Sequence, residues 1–229
     1  MRNPKIPDAA IKRLPVYLRI LGDLIIEEVD IVSSADLSEK TGFSPEQIRK
    51  DLAYFGAFGT RGVGYDTEVL SRRIKRILGL HKGVNAALIG AGNLGTALAR
   101  YSLQKHKDVR IAAIFDNDWD KIGKKIQDTE ILPLEDLVPV CRKLGVKIGI
   151  ITVPALEAQK VADVLVSAGI EAVLNFSPSK LRVPRSIYVQ NIDLTIELQS
   201  LAYYTSVGLE TDEEAIKADE GPSPADNRR

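Results

Sequence analysis

The sequence predicts an α/β protein in which a helical N-terminal domain precedes a doubly wound, mostly parallel sheet. Three observations carry that reading. Apolar strands alternate with helical segments from Ala86 onward. The run Gly90-Ala91-Gly92-Asn93-Leu94-Gly95 joins the first of those strands to the helix after it. The stretch before that strand is different in character, rich in helical periodicity and helix caps. At 229 residues the chain suits two modest domains better than one large one.

In the first domain, Ile11, Leu14, Tyr17, Leu18, Leu21, Ile25 and Val29 recur at helical spacing. Pro15 interrupts them, which predicts a kink or a helix beginning near that residue. Ser34 to Gly42 reads as a short helix with a serine N-cap and a glycine stop. Ser44-Pro45-Glu46-Gln47 reads as a capping box with proline at the first helical position, opening a helix through Phe55. Two short helices separated by Gly42-Phe43-Ser44 make a helix-turn-helix signature. Gly56 to Tyr65, glycines interleaved with aromatics and Arg61, then reads as a tight β-hairpin, the arrangement of a winged helix. Leu70–Leu80 follows as a linker helix.

In the second domain the expected strands are Ala86–Ile89, Val109–Phe115, Lys147–Thr152, Ala172–Asn175 and Tyr188–Asn191. The expected helices are Asn93–Lys105, Leu134–Leu144 and Ala155–Ala168. Such alternation places ligands at the C-terminal ends of the strands. Thr152-Val153-Pro154 and Asn175-Phe176 fall at such ends, where prolines also serve as plain turn punctuation.

The glycine run has the spacing of a dinucleotide site. The first glycine allows a tight turn, the second lets backbone N–H groups approach a pyrophosphate, and the third lets helix and strand pack closely. The helix N-terminus adds positive dipole. Asp116 ends the next apolar stretch about twenty residues on, where an acid accepts from ribose hydroxyls and repels a 2′-phosphate. NAD(H) is therefore preferred over NADP(H). Asp118 competes for the ribose role.

Composition limits the alternatives. Formal net charge is zero, with 14 Lys+Arg against 11 Asp+Glu in residues 1–82 and 17 against 20 beyond. That asymmetry permits nucleic-acid binding without arguing for it. A single cysteine, Cys141, excludes disulfides within the chain and multi-cysteine metal sites, and its apolar setting suggests a small buried hydrophobe. His81 and His106 stand at helix ends without partner ligands, so no metal site is expected. No apolar run reaches membrane-spanning length and no signal segment opens the chain, so a cytoplasmic protein is expected.

Asp193–Val207 reads as a final helix whose apolar residues, Leu194, Ile196, Leu198, Leu201 and Tyr203, lie on more than one face. Such a helix needs burial from several sides, and a second subunit would supply it. Packing on its own sheet is the alternative. Residues 209–229 are acidic and polar and are expected to be a disordered tail. The expected domains are thus 1–82, 83–192, the helix at 193–208, and the tail.

Arg49-Lys50-Asp51-Leu52, Tyr54-Phe55-Gly56 and Gly59 to Tyr65, followed by the glycine run and by Asn191-Ile192-Asp193-Leu194, resemble the bacterial redox-sensing transcriptional repressor Rex family. The resemblance spans residues 5 to 208 and leaves out the tail. It implies a homodimer with a swapped C-terminal helix, holding a Rossmann-like domain that takes NADH or NAD⁺ as a regulatory ligand. It implies binding to an inverted-repeat operator in double-stranded DNA when NADH is low, and release on NADH binding. The sign of that response comes from the family alone.

The resemblance also implies roles for residues. Arg49 and Lys50 would face the major groove, Ser44 and Tyr54 the backbone, and Thr60-Arg61-Gly62 the minor groove. Lys12 and Arg13 are better read as a solvated helix face than as phosphate contacts. Gly90, Ala91, Gly92, Asn93, Leu94, Gly95 and Asp116 would hold the cofactor, with Tyr101, Thr152, Val153, Pro154, Asn175 and Phe176 near it. Arg19, Tyr101 and Asp193 match a family switch in which the carboxylate changes partner with cofactor state; Asp193 is also well placed to N-cap its helix. One competing reading is a winged-helix regulator whose Rossmann-like domain binds coenzyme A or another nucleotide, against which Asp116 argues modestly. The main one is an NAD-dependent oxidoreductase with an accessory N-terminal domain. That enzyme would need an acid/base group near the nicotinamide, and no histidine, lysine or tyrosine/lysine pair stands where one is required.

Overall fold

The computed structural model describes residues 6–56, 59–60, 62–105 and 108–205, and only the backbone for 102–105. Arg61, His106 and the expected tail lie outside the described residues. The chain divides into two compact units, Met1–Asn85 with Tyr101–Arg110, and Ala86–Arg100 with Ile111–Arg229.

The first unit begins with α1 (Asp8–Ile26), which buries Ala10, Leu14, Tyr17, Leu21 and Leu24 along one stripe. The helix starts before Pro15 and runs through it. Pro15 lies on the exposed face, where water can satisfy the carbonyl that the missing N–H leaves. A short strand, β1 (Ile31–Val32), precedes α2 (Ser34–Thr41). The N-cap of α2 is Ser33, not Ser34. Ser33 Oγ accepts from the amides of Ala35 and Asp36, while Asp36 accepts from the Ser33 amide at 2.8 Å. That reciprocal pair is the complete capping box. Gly42, at φ +75°, ends the helix.

The next helix, α3 (Pro45–Ala53), has only half of the expected box. Ser44 Oγ accepts from the Gln47 amide, but the Gln47 side chain donates to Asp51 instead of returning to Ser44. Among the described residues of the glycine-rich stretch, Thr60 and Gly64 form an antiparallel bridge and exchange backbone hydrogen bonds at 3.0 and 3.1 Å, and β2 (Tyr65–Asp66) pairs antiparallel with β1. Local glycines at positive φ disfavour long strands here, and a partner distant in sequence supplies the ladder. Helix α4 (Thr67–Ile77) starts earlier than expected because the Asp66 carboxylate accepts from the Val69 amide at 2.7 Å. Leu14, Tyr17, Leu21, Leu37, Ile48 and Leu70 belong to the core of this unit.

The seven-stranded sheet comprises β3 (Val84–Ile89), β4 (Val109–Asp116), β5 (Lys125–Ile126), β6 (Thr129–Pro133), β7 (Ile148–Ile151), β8 (Ala172–Asn175) and β9 (Tyr188–Asn191). Its order is β5-β6-β4-β3-β7-β8-β9. The β4–β6, β3–β7, β7–β8 and β8–β9 ladders are parallel, and β5 runs antiparallel at the edge. The strand order reverses at β3 and β7, the switch point where such sheets open a crevice for ligands. Neither β5 nor β6 was expected, since each is short and one ends in Pro133.

Three helices connect the parallel strands: α5 (Asn93–Lys105), α6 (Leu137–Leu144) and α7 (Ala155–Ser167). Helix α6 starts three residues later than expected, after a 3₁₀ turn at Leu134–Asp136. Pro139 then falls in the first turn, where its missing N–H leaves no bond unmade. The main core under the sheet includes Ile89, Phe115, Leu137, Cys141, Ile151 and Leu165. Cys141 is buried there as a small hydrophobe, and burial pushes its thiol up to about 11.

The last helix, α8, spans 194–205 within the described residues and is exposed along its length. Leu194, Ile196, Leu198 and Leu201 are each more than half exposed. Among the described residues no helix is long and apolar enough to cross a membrane.

Candidate nucleotide cleft and nucleic-acid interface

The turn after β3 is shaped by its glycines. Gly90 has φ +103°, and a Cβ there would lie 2.9 Å from the Thr152 carbonyl oxygen. A Cβ at Gly95 would overlap the Gly90 carbonyl. Thr152 locks the two strand ends together, its hydroxyl donating to the Gly90 carbonyl at 2.8 Å and its amide to that of Ile89 at 2.9 Å. Gly92 differs, for a Cβ there would meet nothing within 4 Å. The loop is therefore closed against the sheet and open in front of Gly92 and the start of α5, where a pyrophosphate would require the room.

A cleft of about 550 Å³ opens at this point. It brings together Gly90, Gly92, Asp116, Thr152, Val153 and Pro154, and adds residues that sequence reasoning missed: Lys121, Leu134, Glu157, Lys160 and Val161. Their loops and the face of α7 carry no motif. Only their position beside a strand end gives them a role, and that needs the sheet order. Ala91 is buried, and Asn93, Leu94 and Gly95 open α5.

Asp116 is 6% exposed and turned into its own loop. Its carboxylate accepts from the amides of Ala91 at 2.7 Å and Asp118 at 2.9 Å, and from Lys121 Nζ at 3.3 Å. Asn175 is fully buried and outside the cleft lining. Its amide nitrogen donates to the carbonyls of Ser177 and Ser179 and to Asn191 Oδ1, which clamps the ends of β8 and β9. Phe176 is also absent from the lining. Of the three switch candidates, Arg19 is exposed on α1 and Tyr101 is exposed on α5. Asp193 Oδ1 accepts from the Thr195 amide at 2.9 Å, capping α8.

In the first unit α3 turns Ile48, Asp51 and Leu52 inward and leaves Arg49 and Lys50 exposed. Arg49 donates to Ser34 Oγ at 2.7 Å and to Glu46 at 2.9 Å, so its guanidinium spans the gap between α2 and α3. Ser44 is exposed as the α3 cap, Tyr54 is half-buried at the helix end, and Thr60 and Gly62 are exposed on the loop. Arg49, Thr60 and Gly62 line one cleft with Ser33 and Ser34. Gly64 lets the loop pass β1, since a Cβ there would lie 2.7 Å from the Val32 carbonyl oxygen.

Arg13 is half-buried and paired with a core carboxylate rather than lying free on a solvated face. Asp51, fully buried, accepts from Arg13 Nε at 2.5 Å and Nη2 at 2.8 Å, from the Tyr17 hydroxyl at 2.7 Å, and from Gln47 at 2.8 Å. Burial alone would raise the Asp51 carboxyl, but its hydrogen bonds outweigh it and hold the group below its ordinary value. Burial and the Asp51 charge push the Tyr17 hydroxyl up. Arg13 also stands over the Phe43 ring at 5.7 Å.

Comparisons with known proteins agree with this architecture. Residues 5–53 match the family model "Putative DNA-binding protein N-terminus", and residues 81–179 match "CoA binding domain". The redox-sensing transcriptional repressor Rex of Natranaerobius thermophilus is 50% identical over 198 residues, covering 86% of this chain and 90% of that protein. The Rex repressor of Desulforamulus reducens is 49% identical over 203 residues, covering 89% and 97%. The crystal structure of RSP with β-NAD⁺ and operator DNA matches 95% of this chain and 99% of its own, at TM-score 0.81 and 38% identity. RSP with β-NADH matches 95% and 100%, at TM-score 0.78 and 37% identity. The chain belongs to the Rex family of redox-sensing transcriptional repressors.

Proposed function

We propose that this chain is a homodimeric, cytoplasmic repressor that reads the NADH/NAD⁺ ratio, binds an inverted-repeat operator when NADH is low, and releases it on NADH binding. The observation that carries this reading is the pairing, in one chain, of an exposed Arg49/Lys50 face on α3 with a cleft open in front of Gly92. A relative of the same architecture has been crystallised with NAD⁺ and operator DNA, and with NADH. The protein acts by binding, not by turnover.

Residues 1–82 form the DNA-binding domain in this reading, 83–192 the NAD(H)-binding domain, and 193–208 the dimerisation helix. Arg49 and Lys50 contact the major groove, Ser44 and Tyr54 the backbone, and Thr60 to Gly62 the minor groove. Gly90, Ala91, Gly92, Asn93, Leu94 and Gly95 hold the pyrophosphate, and the α5 N-terminus offsets its charge. The cofactor supplies a redox-dependent charge and shape at the nicotinamide end. The protein converts that difference into two domain arrangements, with Asp193 pairing with Tyr101 in one state and Arg19 in the other, across the dimer. A preference of a few kcal/mol between them is enough to shift the population.

A gel shift on an inverted repeat, titrated with NADH against NAD⁺, tests the function. Release at rising NADH is the expected result. A complex indifferent to NADH would overturn the redox reading and leave the DNA-binding one standing. Calorimetric titration with NADH, NADPH and coenzyme A identifies the ligand of the cleft.

A further inference from the structure

The glycine-rich loop of the first unit walls two clefts. Gly59, Thr60, Val63, Gly64 and Tyr65 line both. Arg49 lines one of them and not the other. The second cleft, of about 320 Å³, is closed by α4, which contributes Val69, Leu70 and Arg73. The loop thus has α3 with its arginine on one side and α4 with its arginine on the other.

Helix α4 is rich in positive charge. Between Thr67 and Ile77 it carries Glu68 against Arg72, Arg73, Lys75 and Arg76. Glu68 pairs with Arg72 at 2.9 Å and Asp108 with Lys75 at 3.1 Å, so two of those four charges are offset. Among the described residues, Arg73 is the one cation in the lining of its cleft and Asp66 the one acid. Asp66 is committed to the helix start, where its Oδ1 accepts from the Val69 amide at 2.7 Å. Arg73 is exposed two turns further on, about 10 Å along the axis. Ile31, Val63 and Val69 are exposed apolar neighbours in this cleft and offer no hydrogen bond to a base edge.

A minor groove is about 6 Å wide, with one phosphate strand along each side. With α3 in a major groove and the loop in the next minor groove, the strand dividing the two grooves runs between α3 and the loop. That is the cleft of Arg49. The second strand of the minor groove then runs on the far side of the loop, against α4. We propose that Arg73 binds a phosphate of this second strand, which makes α4 part of the operator-binding surface and not a linker alone. The assignment rests on the DNA-binding reading of the first unit. A guanidinium presents parallel N–H groups to a phosphate, and such a contact fixes register without reading sequence.

The test is fluorescence anisotropy of the full chain on a labelled inverted repeat and on a scrambled duplex, without NADH, between about 50 and 200 mM salt. The variants are Arg73→Gln, Arg73→Lys and, as a control with the same loss of charge on α6, Lys143→Gln. Thermal melts accompany each. Arg73→Gln should weaken both duplexes by the same factor, about tenfold, and lower the slope of log affinity on log salt by about one per half-site. Arg73→Lys should restore the slope, and Lys143→Gln should leave it at the wild-type value. A wild-type slope in Arg73→Gln overturns the proposal, whatever its affinity or melt, since a merely structural arginine would weaken binding without releasing fewer counterions. Weakening confined to the inverted repeat also overturns it, because Arg73 would then read bases. If wild type binds neither duplex, the DNA-binding reading fails and this assignment with it; wild-type binding with an unmoved slope sinks only the assignment of Arg73.

Discussion

Arg13 on α1 and Asp51 on α3 form a two-point ion pair, Nε and Nη2 donating to the two carboxylate oxygens. With Tyr17 and Gln47 also bound to it, Asp51 fastens the helix that carries Arg49 and Lys50 to the first helix of the unit. Asp51→Ala strands a partly buried guanidinium and a buried phenol. We expect a loss of about 3 kcal/mol in urea unfolding, which is the scale for breaking a buried pair from one side. Lys50→Ala, on the exposed face, should leave the unfolding midpoint unchanged.

Acid should act through the same carboxylate. The folded-state value of Asp51 lies below its unfolded value, so its contribution is complete above the ordinary aspartate value of about 3.9. It is lost as pH falls further, through the depressed folded value. Urea midpoints between pH 6 and pH 2 should therefore drop more steeply in wild type than in Asp51→Asn. Parallel curves would show that other carboxylates carry the acid sensitivity.

Gly95 and Gly92 should answer differently to a methyl group. In Gly95→Ala the Cβ collides with the Gly90 carbonyl, so the helix must move from the strand at about 1–3 kcal/mol, read as a lower melting temperature. In Gly92→Ala the Cβ enters open space. The melt should stay close to wild type while NADH affinity falls. Equal melts for the two variants would contradict the division between packing glycine and ligand-facing glycine.

Asp193 caps α8, and a switch role is proposed for the same carboxylate. Asp193→Asn keeps a good cap and removes the charge, while Asp193→Ala removes both, with a further loss of about 1 kcal/mol. If the charge is the switch, both variants lose the wild-type NADH response in a gel shift. Release by Asp193→Ala at the wild-type ratio would sink the switch assignment.

Helix α8 exposes Leu198 at 67% and Leu201 at 59%. Burial by a second copy predicts that Leu198→Asp with Leu201→Asp yields monomers in sedimentation while the melting of the sheet domain persists. An unchanged dimer would move the interface elsewhere.

Much of this architecture was legible locally. The strands at Ala172–Asn175 and Tyr188–Asn191 and the helix at Asn93–Lys105 coincide with the expected ones, because each is a periodic run bounded by turn residues. Strands β5 and β6 were missed because a short edge strand is made by its partner, not by its own pattern. The cap of α2 was misplaced by one residue because two serines are adjacent, and only the position of Asp36 selects Ser33. On the cleft, Gly90, Gly92, Asp116 and Thr152-Val153-Pro154 were readable from spacing and strand ends, whereas Asn175 and Phe176, chosen on the same ground, do not line it. Lys121, Leu134 and the inner face of α7 were not readable, since nothing in their own segments marks them as neighbours of Gly90.

The sequence by itself determined the order of the two modules, the glycine turn and its acid, and the apolar helix that needs covering. These follow from period, caps and turn chemistry within short windows. Only the tertiary structure decided which way the charged side chains turn. Arg13 points inward because Asp51 lies buried across the unit, and Asp116 folds back on its loop because the Ala91 amide needs an acceptor there. A buried polar group takes whichever partner the fold brings to it, and that partner stands far away in sequence.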